Sequence, residues 1–392
     1  LKLDMQEENI TYNCLIQRAD AYAEKLSKLG VTKGFKVALT FPNSINWFCT
    51  YIALAKLEAI STLIDFTLPE KEISELVKNT KVNLIVTTKD VEKKINANVL
   101  CVDAFNDFAK LNNKPLITNI DNELVEKNVS TLLFSSGTTS IPSAIMQTTE
   151  HLYDTTISCL KSNNIRNDQQ RFLGLLPNNH IYGLLMNVYA PLISGSNVRI
   201  LEGINPDTLV SSFLNYKPTV LASVPKIAEL LKARIKTQAA QQGKEKLLNM
   251  FVPICYSLRT KFGINLGKKL FHSVHDGLGG CIDIFPTAGA PISPDTAKFF
   301  IGLGFRFMST YGATETNIPT FGARGEDLVI DNVGKAYPGI EIKFSVDGEI
   351  LIKSPYCMLG YYKNEKANSE IFTEDGYIKS GDIGFMDQKG NL

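Results

Sequence analysis

Apolar residues recur along the first third of the chain with two alternating periods. Leu15, Ala19, Tyr22, Leu26 and Leu29 fall on one helical face, and Gly30 ends that pattern. A short strand is predicted over 36–41, and Ser44 is placed to cap a helix running towards Glu58. A strand over 60–65, a helix opened by Pro69 and a strand over 82–87 continue the alternation. Strands separated by helices imply crossover connections and a parallel sheet. The same grammar returns around 172–176, 198–201, 219–222, 282–285 and 305–309. After about Gly325 it changes: 341–345 and 349–353 flank Val346-Asp347-Gly348, a hairpin signal. Three units are expected: α/β regions over 1–200 and 201–324, and a small, mostly antiparallel β-subdomain over 325–392.

Composition narrows the function classes. The 392 residues are 44% hydrophobic, and 41 Lys+Arg against 40 Asp+Glu leave a net charge of +1. Disorder and a nucleic-acid binder built on phosphate neutralisation are thereby excluded. Seven scattered cysteines without a CxxC pair fit reduced thiols and a cytoplasmic setting. The apolar stretch 172–193 is interrupted by Pro177, Asn178, Asn179, His180 and Pro191, so it is not read as a membrane span. The opening LKLDMQEENI lacks the apolar core of a signal peptide and starts on Leu, so the natural start is expected upstream.

Five segments carry candidate chemistry. In TLLFSSGTTSIPSA (131–144) a strand runs into Ser135, Ser136, Gly137, Thr138, Thr139 and Ser140. Their hydroxyls and backbone N–H groups could cradle phosphate oxygens, although such a loop is more often an ordinary turn. Tyr311-Gly312-Ala313-Thr314-Glu315-Thr316 follows a strand. The Tyr could stack on a flat base while Thr314 and Glu315 reach a phosphate and a hard cation; a capped helix start with a core Tyr is the alternative. Thr287-Ala288-Gly289-Ala290-Pro291 admits a ligand close to the backbone, or simply turns the chain. Asp382, in Ser380-Gly381-Asp382, could hold sugar hydroxyls or satisfy its own turn. His180, in LPNNHIYGLL, sits among apolar residues and reads as a core or helix-start histidine or as a pocket residue.

The order SSGTTSIPSA, LPNNHIYG, TAGAP, YGATET, GYIKSGD resembles the acyl-adenylate-forming superfamily, which includes acyl-CoA synthetases, luciferases and peptide-synthetase adenylation domains. Val224-Pro225, Val333-Gly334-Lys335, Pro338-Gly339 and Gly360-Tyr361-Tyr362-Lys363-Asn364 are accessory matches, and the likeness covers nearly the whole chain. The resemblance implies an α/β fold: two parallel-type β-sheets wrapped by helices plus a small distorted antiparallel β-barrel. It also implies ATP-dependent activation of a carboxylate, then transfer to a thiol, with ATP, Mg2+ and CoA as co-reactants. By the family pattern Ser135, Ser136, Gly137, Thr138 and Thr139 hold the ATP phosphates. Thr138 and Glu315 flank the magnesium, and Thr314 lies near the α-phosphate. Tyr311 stacks on adenine, with Gly289, Ala290 and Pro291 lining the base and Gly312 also in the nucleotide-binding set. Asp382 takes the ribose, and His180 borders the carboxylate end of the acyl pocket. Thr138, Thr314, Glu315 and His180 are thus the implied catalytic set.

Two departures qualify the likeness. The family loop continues Gly-x-Pro-Lys-Gly, whereas this chain has Ser140-Ile141-Pro142-Ser143-Ala144, so Ser143 replaces a lysine. The chain also stops at Leu392, before the family's hinge, and is read as the large N-terminal part without the C-terminal domain that acts in cis, so that by itself it is expected to bind nucleotide but to adenylate poorly and form no thioester. The segment 226–275 is long, basic and helical in pattern, resembling long-chain fatty acyl-CoA synthetases, which points to a fatty acid. Its basic surface could meet anionic lipid headgroups or be a solvated face. A fatty acyl-AMP or acyl-carrier-protein ligase, and a non-catalytic nucleotide- or acyl-binding relative, are the alternatives.

Overall fold

A computed structural model describes residues 2–4, 9–93, 95, 100–103, 120–135, 142–165, 169–201, 206–317, 321–322 and 332–392. Local signals place the first elements. Thr11 caps the Tyr12–Lys28 helix, its hydroxyl accepting from Cys14 N at 3.2 Å. Ser44 caps Ile45–Lys56 in the same way through Trp47 N at 3.1 Å. The strands Lys36–Thr40, Ile60–Leu63 and Leu84–Thr87 are buried along their whole length, as strands covered on both faces are. They lie in a six-stranded sheet ordered 100–103, 84–87, 36–40, 60–63, 131–134, 144–147. All its pairings are parallel except the last, which is an antiparallel hairpin.

The second sheet runs 9–11, 2–4, 197–200, 171–174 and is carried on by single parallel bridges, Phe172 to Val220 and Val220 to Ile284. Through Val220 it reaches Ile284–Thr287 and Arg306–Tyr311, which pair in parallel. The expected division at 200/201 therefore falls inside one sheet. Strand 197–200 pairs with 2–4 and 171–174, and it is 171–174 that meets later residues, through Val220. Beneath this sheet Phe285 packs edge-on against Phe300 and Phe307, each at 5.0 Å between ring centres. The helices Pro225–Gln241, Glu245–Phe262, Gly267–Leu270 and His272–Gly277 realise the expected helical segment. No helix among the described residues is long and apolar enough to cross a membrane.

The third sheet joins Glu341–Phe344, Glu349–Lys353 and Ile378–Ile383, all antiparallel. Gly348 takes φ +81° in its turn, as the Asp-Gly signal requires. The barrel expectation is corrected here. Among the described residues this is an open three-stranded sheet, too few strands to close, whose buried face centres on Ile350, Ile352 and Ile378.

Candidate nucleotide site

The motifs gather at the ends of strands. Ser135 follows Thr131–Phe134, and its N–H donates to Ser143 O at 3.3 Å, so the mouth of the loop is closed by backbone pairing. Ser136, Gly137, Thr138 and Thr139 lie outside the described residues. In the second sheet Thr287 pairs with Ser309, so 288–291 and 311–315 leave neighbouring parallel strands at the same carboxyl end. Ligands of open α/β sheets bind there. Gly289 adopts φ +89°, a backbone that L side chains avoid, and Ala290 and Pro291 are exposed beside it.

Two hydrogen bonds join residues distant in sequence. Tyr311 OH donates to Asp382 Oδ2 at 2.7 Å, tying the second sheet to Ile378–Ile383. Burial, then Asp382 itself, pushes the Tyr311 phenol above its ordinary range, so it stays a donor. Tyr361 OH donates to Glu315 Oε1 at 2.8 Å; burial and the Glu315 charge raise this phenol as well. Thr314 O accepts from the buried Gln147 at 3.2 Å. Gly312 follows Tyr311 directly, between the strand end and Thr314.

The segment 358–364 explains how Glu315 is held. Met358 N donates to Glu315 O at 2.8 Å, and Leu359 N and Tyr362 N donate to Met146 O and Ala144 O at 3.0 and 2.7 Å. The segment thus lies along Ala144–Gln147 while Asn364 Nδ2 donates to Ser143 Oγ at 3.1 Å. One stretch of chain fixes both the loop base and the acidic residue. Gly360-Tyr361-Tyr362-Lys363-Asn364 stands out in the sequence, yet nothing in its pattern connects Tyr361 with a residue 46 positions away. Tyr361→Phe is expected to raise the Mg2+ concentration for half-maximal nucleotide binding by about tenfold, the scale of a lost charged hydrogen bond. A magnesium titration of wild type and variant checks this.

His180 stands apart. It precedes the short Ile181–Gly183 helix, and its side chain is exposed rather than set among apolar residues, with Nε2 3.8 Å from Asp65 Oδ2. No described hydrogen bond links it to Tyr311, Glu315 or Asp382. The preceding loop is locked by Asn187, which donates to Leu176 O at 2.6 Å and Asn178 Oδ1 at 3.0 Å.

Among the described residues no three His, Cys, Asp or Glu side chains converge as a metal cage. Among the described residues Glu315 fits a magnesium ion that takes its remaining oxygens from phosphates and water, the usual manner for this ion; Thr138, the other expected ligand, lies outside them.

Open parallel sheets with polar motifs collected at their carboxyl ends define a class of ligand-binding α/β enzymes. Within that class the chain belongs to the AMP-binding enzyme family, whose model matches residues 2–362. It is 25% identical over 406 residues to the peroxisomal OPC-8:0-CoA ligase 1 of Arabidopsis thaliana, covering 98% of this chain and 69% of that one. It is 27% identical over 279 residues to the long-chain-fatty-acid–CoA ligase FadD15 of Mycobacterium bovis, covering 67% of this chain. This chain thereby spans 45% of the mycobacterial relative's length. The fold matches o-succinylbenzoate coenzyme A synthetase of Bacillus subtilis, solved with ATP and a magnesium ion. That likeness has a TM-score of 0.78 at 21% identity, over 100% of this chain and 75% of the other. Its named relatives are acid–thiol ligases, and this chain is an enzyme of that class.

Proposed function

We propose that this chain binds ATP and a fatty acid and forms the acyl-adenylate, whose acyl carbon is then attacked by the CoA thiol, forming the thioester as AMP leaves. The observation that carries the reading is the pairing of Tyr311 with Asp382 and of Glu315 with Tyr361, around the base of the Ser135–Ser143 loop. Tyr311 offers a ring for adenine, and Asp382 presents acceptors for the ribose hydroxyls. A carboxylate is ionised at neutral pH, so attack on the α-phosphorus needs no general base. Its oxygen forms the new P–O bond while the bond to the β-phosphate oxygen breaks and pyrophosphate leaves. Positioning and charge stabilisation then supply the catalysis. In this reading Thr314 would meet the α-phosphate, and Glu315 would hold a magnesium ion that neutralises the phosphates.

An apolar cavity supports a hydrophobic acid. It is lined by Cys159, Tyr182, Leu185, Met186, Pro286 and Met308, and adjoins the strand leading to Tyr311. Its volume is about 30 Å³, room for a single small group. Met186 and Met308, unbranched and adaptable, are the linings that would move to admit a chain. Tyr182 OH donates to Pro286 O at 3.1 Å, and burial pushes the Cys159 thiol up to about 11, so both stay protonated. Cys14, Cys159, Cys255, Cys281 and Cys357 carry thiols unbonded to another cysteine, which supports a reducing, cytoplasmic setting.

Carboxylate-dependent ATP–pyrophosphate exchange tests the reading. Fatty acids should support exchange better than aryl acids such as o-succinylbenzoate; exchange with aryl acids alone would overturn the substrate class. Ser143 favours the binding-only alternative, because its hydroxyl is engaged by Asn364 where the family pattern has a cation. Ser143→Lys is expected to raise exchange by about one to two orders of magnitude, the equivalent of 1.4–2.8 kcal/mol in the barrier. No gain would leave the loop lysine without the role assigned to it.

A further inference from the structure

The chain's charge is segregated. Residues 226–278 carry ten Lys+Arg against three Asp+Glu, a net of +7, so the remainder nets −6. This +7 region is the helical layer over the second sheet, and it also exposes large apolar side chains. Leu247, Met250 and Ile254 recur at i, i+3 and i+7 on the Glu245–Phe262 helix, with relative exposures of 51%, 51% and 47%. That spacing puts them on one face. The opposite side, with Leu248, Val252 and Cys255, is buried towards the Pro294–Gly302 helix. At the helix end and just after it, Phe262, Ile264 and Leu266 are exposed at 69%, 48% and 46%. Around these side chains Lys244, Lys246, Lys261, Lys268 and Lys269 are exposed and make no ion pair among the described residues.

Leucine and phenylalanine side chains in water are costly, and lysines left without acidic partners do nothing to offset that. An anionic bilayer surface satisfies both at once. Apolar side chains enter the headgroup–acyl boundary, long lysine stems reach outwards, and their ammonium groups meet lipid phosphates. We propose that the 245–270 region is a docking surface for anionic membranes, with the Leu247–Met250–Ile254 stripe and Phe262 inserting and the surrounding lysines binding headgroups. The charge separation orients the molecule: the +7 layer faces the membrane and the acidic remainder is repelled. Net charge over the whole chain conceals this, because the two parts cancel.

Vesicle flotation of the purified chain tests the proposal, using phosphatidylcholine alone or with about 30% phosphatidylglycerol, at low and high salt. Binding is expected to the anionic vesicles and not to the neutral ones, with release as salt rises. Each lysine near such a surface contributes about fivefold in affinity, so Lys268→Gln/Lys269→Gln should weaken binding by about twentyfold. Leu247→Glu/Ile254→Glu should abolish it, with the unfolding midpoint of both variants checked against wild type. No binding to anionic vesicles at low salt would overturn the proposal, as would unchanged binding by the folded lysine variant. A dimer in sedimentation that Leu247→Glu/Ile254→Glu dissociates would also overturn it, assigning the stripe to a second copy of this chain.

Discussion

Glu315→Gln is expected to lower carboxylate-dependent pyrophosphate exchange by about two to three orders of magnitude, the scale of removing one preorganised charge-stabilising group. The substitution keeps the shape of the side chain and an oxygen able to accept from Tyr361, which sits at 2.8 Å. The backbone bond from Met358 N to Glu315 O is untouched. Only the negative charge is lost, so the fall should appear in the magnesium dependence and in the rate, with little change in the unfolding midpoint. A Glu315→Gln protein that exchanges within about threefold of wild type would remove Glu315 from the site. A comparable loss for Glu315→Gln and Tyr361→Phe would show that the tyrosine does more than orient the carboxylate.

Asp121→Ala is expected to have the largest effect on stability. Lys36 is buried on the first sheet, with Nζ 3.0 Å from Tyr362 OH and 3.8 Å from Asp121 Oδ2. Tyr362 OH donates to the same carboxylate at 2.7 Å, and Lys363 Nζ lies 2.8 Å away. Burial lowers Lys36 to about 8, with Asp121 opposing the shift. Burial of Asp121 acts to raise it, but its bonds from Lys363 and Tyr362 hold it at about 2. Removing one partner of a buried ion pair typically costs about 3–5 kcal/mol, because the other charge stays buried.

The pH dependence has a defined sign. Lys36 has a lower pKa folded than unfolded, so between about 8 and the ordinary lysine range near 10.5 the unfolded chain binds more protons. Its contribution to stability therefore rises with pH across that window, and below it the cost of the buried charge is present in full. Asp121 works at the other end. Its contribution is present above its ordinary value of 3.8 and is lost as pH falls towards about 2. The cost of Asp121→Ala should accordingly shrink between pH 7 and pH 10, where Lys36 becomes neutral and no longer needs a counter-ion. Urea denaturation at the two pH values measures this; an equal cost at both would contradict the pairing. Lys36→Met, which removes the buried charge itself, should be neutral or stabilising.

These two sites also show what can be read from residue order. The strand–helix alternation, the Ser44 cap and the Asp347-Gly348 turn are local, and each lies where its pattern places it. The order of the five motifs marked the family, and three of them leave strand ends, at Ser135, Ala288 and the 311–316 stretch. Long-range pairings had no such signal. Tyr362 and Lys36 are 326 positions apart, and a lysine in a strand reads as exposed until its partners are seen. The strand expected over 219–222 is realised only as single bridges, in which Val220 links the two parts of the second sheet. Among the described residues the third sheet has three antiparallel strands and no closed barrel is seen.

The central claim is that Tyr311, Glu315 and Asp382 frame one acyl-adenylate site. Calorimetric titration of this chain with a non-hydrolysable fatty acyl-sulfamoyl adenosine tests it most directly. The expected result is saturable one-to-one binding, tighter than ATP because acyl and nucleotide contacts would both be made, and weakened at least about tenfold by Asp382→Ala, which would remove the proposed ribose contact. Absence of binding, or an Asp382→Ala protein that binds as tightly as wild type, would contradict it.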